Sequence, residues 1–258
     1  MTGPGTNSYL VGASELVAID PGPKDDAHVG ALLEAASRRG GRICAVLVTH
    51  THPDHAPGAT ALGARAGAPL LGWGERDGFV PDRVLRDGDH VGTGDGELTA
   101  LHTPGHASNH LCYMLSEPRI LFSGDHIMGG STVVIAPPDG DMAAYLSSLS
   151  RLARLSPPIG AIAPGHGAMI RNPVEVIEQY RAHRLAREAS VLAVLGSRGG
   201  AGVGIDEIVA EIYVEVPVEL HPIARYSVWA HLLKLRGESK AACERPDDIS
   251  AAWSAVGA

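Results

Sequence analysis

No run of about 18 apolar residues occurs anywhere in this 258-residue chain, which excludes a membrane-spanning helix of ordinary length. Nor does the N-terminus show a basic segment followed by an apolar core, so no signal peptide is expected and the sequence reads as cytoplasmic, with no membrane partner. Cysteine is scarce: Cys44, Cys112 and Cys243 are odd in number, widely spaced and outside every candidate ligand motif. Cys44 and Cys112 lie in apolar runs and read as core residues. Positive charge is also in short supply. A formal net charge of −8 argues against a broad basic surface for nucleic acid, although a metal site would carry local charge of the opposite sign. Hydrophobic residues are plentiful at 45%, enough for a large core, and the length suits one catalytic domain plus a small appendage.

Residues 49–55 read Thr-His-Thr-His-Pro-Asp-His and constrain the chemistry more tightly than any other segment. His50, His52, Asp54 and His55 offer three imidazoles and a carboxylate, the donors that borderline metals such as zinc prefer. Burying four such groups without a metal would strip their water and leave donors or acceptors unsatisfied. The preceding residues 43–49 form a short apolar, β-branched run, so the ligands begin where a buried strand stops. Beyond them, residues 59–66 are rich in Ala and Leu and predict a short helix ended by Gly67.

The same punctuation recurs three times. Residues 98–102 run into Thr-Pro-Gly-His ending at His106, residues 119–122 into Ser-Gly-Asp-His containing Asp125, and residues 159–163 into Pro-Gly-His-Gly containing His166. Each run stops at a glycine beside a potential ligand, where a tight turn aims one side chain.

With these residues in order, the chain resembles the metallo-β-lactamase superfamily, whose signature is His-X-His-X-Asp-His followed by a distant His, an Asp and a His, each at a strand end. The resemblance implies an α/β fold, an αββα sandwich with two metals at one edge. It places His50, His52 and His106 on the first ion, Asp54, His55 and His166 on the second, and Asp125 between both. Coordination chemistry agrees with two ions, because seven ligands exceed the four of a tetrahedral zinc. With Asp54 and Asp125 as the only anionic ligands, two Zn²⁺ (or other divalent metals) keep a formal charge of about +2, which acidifies a bridging water into a nucleophile. Hydrolysis is the reaction class that follows. Asp54 and His110 are the candidate catalytic residues, His110 as a proton donor to the leaving group.

Upstream, residues 6–11 and 15–19 read as paired strands, and residues 25–38 as a helix. Asp20 sits near the expected metal edge, but a turn aspartate is as good a reading as a hydrogen-bonding partner, so it stays outside the site. The opening Thr2-Gly3-Pro4-Gly5-Thr6-Asn7 lacks the spacing and lysine of a phosphate cradle and reads as a connection. Sequences of the resembled family commonly carry another strand before it, so a missing edge strand or an internal start codon is expected, which the intact mass of the native protein checks. Residues 141–155 predict an amphipathic helix, and Asn172-Pro173-Val174-Glu175 opens a long one to about residue 195.

Residues 196–204 contain five glycines and form the clearest linker. The boundary is set there: 1–195 catalytic, 196–258 a small C-terminal domain of two helices and a polar, Ala-rich tail. That second part resembles the winged-helix appendage on the superfamily branch that includes an endoribonuclease. It carries more acids than bases, however, which weakens a backbone-tracking role. The substrate expectation is therefore an RNA phosphodiester or a small-molecule thioester, ester or lactone, the latter as in the glyoxalase II and lactonase branches. A non-catalytic, metal-stabilised binding module is the reading from another class. His28, His90, His183, His221 and His231 read as solvated or helix-surface groups, and His102 and His126 as neighbours of the ligands.

Overall fold

Strand Glu15–Ile19 sends alternate side chains to two different places, and that alternation organises the first half of the molecule. Leu16 and Ala18 pack toward helices, while Val17 and Ile19 join an apolar layer between two sheets. The next strand inward does the same with one irregularity. Leu16 pairs with Ile43 but Val17 pairs with Ala45, so Cys44 is an extra residue at a bulge, and Cys44 and Ala45 consequently face the same layer. Strands buried on both faces read as unbroken apolar runs, which is why residues 43–49 showed no polar alternation.

The computed structural model describes residues 5–130 and 132–257; Thr2, Gly3 and Pro4 of the opening loop lie outside them. The first sheet runs β1 (Tyr9–Val11), β2 (Glu15–Ile19), β3 (Arg42–Leu47), β4 (Leu70–Gly72) and β5 (Arg83–Val84) in that spatial order. β1 is antiparallel to β2 and the remaining neighbours are parallel. α1 (Asp26–Arg38), capped by the Asp25 carboxylate on the backbone N–H groups of Ala27 and His28, and α2 (Ala59–Ala66), ended by left-handed Gly67, cover one face through Val29, Leu32 and Leu62. The second sheet contains β6 (His90–Thr93), β7 (Gly96–His102), β8 (Leu111–Leu115), β9 (Ile120–Gly124) and β10 (Ala161–Pro164). It meets the first through Leu98, Ala100, Leu111, Tyr113 and Phe122. Tyr113 is fully buried and its hydroxyl donates to the Val48 carbonyl at 2.7 Å, tying the sheets together behind the His50 segment.

The chain divides into two compact units. The first holds both sheets and comprises the residues up to Thr103, Asn109–Val133 and Leu152–Val176. The second comprises Pro104–Ser108, Val134–Arg151 and the chain from Ile177. Its elements derive from α3 (Met142–Ala153), α4 (Pro173–Ser197), α5 (Ile205–Ile212), α6 (His221–Gly237) and a small antiparallel pair, β11 (Ala241–Ala242) and β12 (Ser254–Ala255). Val191, Val194 and Leu195 of α4, Ile208 and Val209 of α5, and Val228, Leu232 and Leu235 of α6 share one core. The expected polar tail is corrected here: it contains both short strands and Trp253, which is fully buried in that core.

His231 is a second correction, because it is buried rather than solvated and faces the Glu188 carboxylate at 3.4 Å. Lys234 Nζ donates to the same carboxylate at 2.7 Å. Burial alone would raise the Glu188 pKa, but His231 and Lys234 outweigh it and hold it below the usual carboxylate value. Burial, helped by Arg184 and Lys234, lowers His231 against the pull of Glu188. Both groups therefore bind protons less readily folded than unfolded, and stability falls on acidification. The loss from His231 begins as pH drops below about 6.5, and that from Glu188 below about 4.3, continuing through the lower folded values. Thermal melts of the metal-stripped protein between neutral and acid pH should show Glu188→Gln with a shallower decline at the acid end. Parallel curves would remove Glu188 from the acid response.

Candidate metal centre

Parallel pairing of β2 with β3 sets Ile19 opposite Leu47, so the residues that follow each strand emerge side by side. On one side this is Asp20, and on the other Thr49 and His50. Asp20 is buried with φ of 49°, and its carboxylate accepts from the Thr49 backbone N–H at 2.7 Å and from the Thr49 hydroxyl at 2.7 Å. Its Oδ2 also lies 2.9 Å from His55 Nδ1. A proton on Nδ1, donated to Asp20, leaves the Nε2 lone pair of His55 facing the site.

Three further imidazoles follow the same rule. Thr49 Oγ1 gives its proton to Asp20 and so can accept from His50 Nδ1, 3.1 Å away. His166 Nδ1 meets the Gly5 carbonyl at 3.0 Å. In the second unit, His106 Nδ1 meets the Val134 carbonyl at 2.8 Å. In each case the bonded Nδ1 frees Nε2 as a ligand atom.

Within the first unit, His50, His52, Asp54, His55, Asp125 and His166 come together. Ligand atoms of His50, His55 and Asp125 all lie within 4.8 Å of one another, as do those of Asp54, His55 and His166. His50 Nε2 is 3.0 Å from His52 Nδ1. His55 Nε2 and His166 Nε2 stand 3.3 and 3.2 Å from Asp125 Oδ1, yet among the described residues neither buried nitrogen makes a hydrogen bond of good geometry. A Cβ at Gly165 would fall 2.7 Å from Asp125 Oδ1 and 2.8 Å from the His55 ring, so glycine keeps this space clear. Convergent imidazole and carboxylate donors around a space that admits no side chain fit divalent ions.

The electrostatics point the same way. Burial would lower the His55 pKa, but the Asp20 and Asp125 carboxylates overcome it and raise it to about 10. His166, likewise opposed by burial, is raised to about 10 by Asp125 and Asp54. Burial would raise Asp54, yet His166 and His55 bring it down to about 2. The carboxylates thus demand positive charge here, which protons supply in the bare chain and which a bound cation supplies by displacing them.

His110 is fully buried, with Nδ1 3.0 Å from the Thr103 hydroxyl and its ring 5.0 Å from that of His50. His126, also fully buried, lies 5.8 Å from His110 ring to ring, and His102 stacks on Trp73 at 3.7 Å.

Residues 1–166 match the family model of the metallo-beta-lactamase superfamily, and residues 205–253 match the beta-lactamase associated winged helix domain. The chain belongs to the metallo-β-lactamase superfamily. This superfamily member is 32% identical over 258 residues to the "Beta-lactamase-like protein 2 homolog" of Drosophila melanogaster, covering 93% of this chain and 85% of the relative. It is 30% identical to the "Atrochrysone carboxyl ACP thioesterase" of Aspergillus chevalieri, over 98% of this chain and 82% of that one. Its fold is shared with a beta-lactamase domain protein from Burkholderia ambifaria at a TM-score of 0.81, with 23% identity, over 97% of this chain and 87% of that chain. The mixed α/β catalytic fold, the C-terminal winged-helix domain and membership of a hydrolase family are established by these matches.

Asp20 is the residue that sequence reasoning set aside. Its signal was available: two adjacent parallel strands that end together put Asp20 beside the first ligands. Asp20→Ala should weaken metal binding by about 10- to 100-fold, as loss of a ligand's orienting partner does. Competition with a chelator of known affinity reads this directly, and unchanged affinity would make Asp20 a turn residue only.

Proposed function

We propose that this chain is a dinuclear zinc hydrolase of acyl thioesters. The observation that carries the dinuclear reading is the number of convergent donors in the first unit: His50, His52, Asp54, His55, Asp125 and His166 make six, more than the four that one tetrahedral zinc takes. On this reading His50, His52 and His106 would hold one ion, Asp54, His55 and His166 the other, and Asp125 would serve both; His106 is assigned by its place in the motif. Zinc follows from the nitrogen-rich donor set. When bound, the two ions supply an acidified water as nucleophile and positive charge for the carbonyl oxygen as it becomes an oxyanion.

The chain's own residues do the positioning. Asp20 and Thr49 hold His55 and His50 in the tautomers that expose ligand nitrogens, the Gly5 and Val134 carbonyls do so for His166 and His106, and Asp54 stays ionised. A thiolate leaving group needs little help from a general acid. The buried position of His110 against His50 favours a role in orienting that ring over delivery of a proton.

The thioester is supported by the 30% identity, along nearly the whole chain, to a relative named as an acyl-carrier-protein thioesterase. The acidic balance of the C-terminal residues also disfavours a polyanion. The test is a side-by-side assay of the zinc-loaded protein on an acyl thioester, a homoserine lactone and single-stranded RNA, with metal content by mass spectrometry. Two zinc ions per chain and preferential thioester turnover are expected. Metal-dependent, salt-weakened RNA cleavage with intact thioester would replace this assignment by an endoribonuclease, and one iron with oxygen consumption would end the zinc-hydrolase reading.

A further inference from the structure

The second unit contains a cleft of about 790 Å³ that the metal chemistry does not use. One wall comes from the segment leading into α3, with Pro138, Met142 and Ala143, and the other from α6, with Trp229 and Leu233. Its volume falls in the range of roughly 300–1,000 Å³ typical of small-molecule sites, and its lining is mainly apolar.

Trp229, Asp141, Lys234 and Glu238 at its margin are already engaged. Trp229 Nε1 donates to the Pro246 carbonyl at 2.9 Å, leaving only apolar ring surface. Asp141 caps α3 by accepting from the backbone N–H groups of Ala143 and Ala144 at 2.7 and 3.0 Å. Lys234 bonds Glu188 and Glu238 at 2.7 and 2.6 Å. With Asp141, Glu238 and Asp247 against Lys234 alone, the lining carries a formal charge of −2. A phosphate or nucleic-acid backbone finds no available cation among the described lining residues, whereas an uncharged hydrocarbon is favoured by entering.

The same wall also holds the His106 loop. His106 Nδ1 bonds Val134, the Asp141 backbone N–H donates to the Gly105 carbonyl at 2.8 Å, and the Ser108 N–H donates to Asp139 at 3.2 Å. Gly105 has φ of 143°, and a Cβ there would lie 2.4 Å from the Tyr145 Cα, so the loop is pressed onto α3. The cleft wall and the proposed ligand His106 are therefore one hydrogen-bonded piece.

We infer that this cleft binds the hydrocarbon portion of the acyl group in a thioester substrate, an inference that rests on the thioesterase reading. The probes are S-butyl and S-octyl N-acetylcysteamine, thioethers that cannot be hydrolysed, titrated calorimetrically into the zinc-loaded full-length protein. Each buried methylene strengthens binding about fourfold, so with incomplete burial the octyl compound should bind about a hundredfold more tightly than the butyl. Leu233→Trp, which fills the cleft, and Leu233→Glu, which charges it, should cut that gain to about threefold, with metal content unchanged. Should either variant fail to fold, Leu233→Ala supplies the reading through an octyl affinity about tenfold weaker.

Equal affinity for both thioethers, or a gain that survives in the Leu233 variants, overturns the inference. The corresponding acyl thioesters separate it from the thioesterase reading. Turnover without chain-length dependence of KM keeps the hydrolase and removes the cleft as acyl site. Leu233-dependent binding of the octyl thioether without any thioester turnover keeps the cleft as a hydrocarbon site and removes the thioesterase.

Discussion

Asp125→Ala should cost more activity than alanine at any single terminal histidine, at least about a hundredfold, above the range seen when a ligand's supporting partner is lost. The carboxylate stands within 3.3 Å of His55 Nε2 and 3.2 Å of His166 Nε2, so one substitution removes negative charge from both neighbours together. Terminal histidines each serve a single ion in the proposed scheme and carry no charge as ligands. Asp125→Asn separates the two contributions, since it keeps the shape and an oxygen donor while removing the charge. The measurement pairs zinc per chain with thioester turnover. The alanine variant should hold fewer than two ions and turn over least, and the asparagine variant should fall between it and the native chain. Two retained ions with near-normal turnover would take Asp125 out of the site.

The legibility of this centre in the sequence had a physical cause. Ligands that need rigid support sit where strands end, and a strand buried on both faces leaves an apolar run whose end is visible without coordinates. His50, Asp125 and His166 each follow such a run. The helices were as plain, because caps are local chemistry: Asp25 before α1, Gly67 after α2, and Asn172, whose side chain donates to Glu175 at 2.8 Å, before α4. Asp20 was less legible because its role depends on a neighbouring strand 29 residues away in sequence, at Thr49. The short strands β4, β5, β11 and β12, of two or three residues each, carry too few positions for a period of two to emerge. His231 and Glu188 are 43 residues apart and meet only when α6 packs on α4, so neither helix alone shows the pair.

The wing of the C-terminal domain supplies the largest stability effect. Trp253 is fully buried, and its backbone exchanges hydrogen bonds with Val203, N–H to carbonyl at 2.9 Å and carbonyl to N–H at 2.8 Å. The side chain shares a core with Ile205 and Ile208 of α5 and Val228 and Leu232 of α6, so it fastens the last strand of the chain to both helices. Trp253→Ala keeps the backbone bonds but removes the largest fully buried side chain among the described residues, and a void of that size costs about 3–5 kcal/mol. Val256→Ala, at a position 51% exposed, is the control and should stay within about 0.5 kcal/mol. Urea unfolding followed by far-ultraviolet circular dichroism reads both without relying on the lost indole. The expected signature is an earlier loss of helical signal in Trp253→Ala, because the second unit is rich in helix and depends on this core. A shift of less than about 1 kcal/mol would mean that the core closes around the missing ring, and that α5 and α6 hold together without the wing.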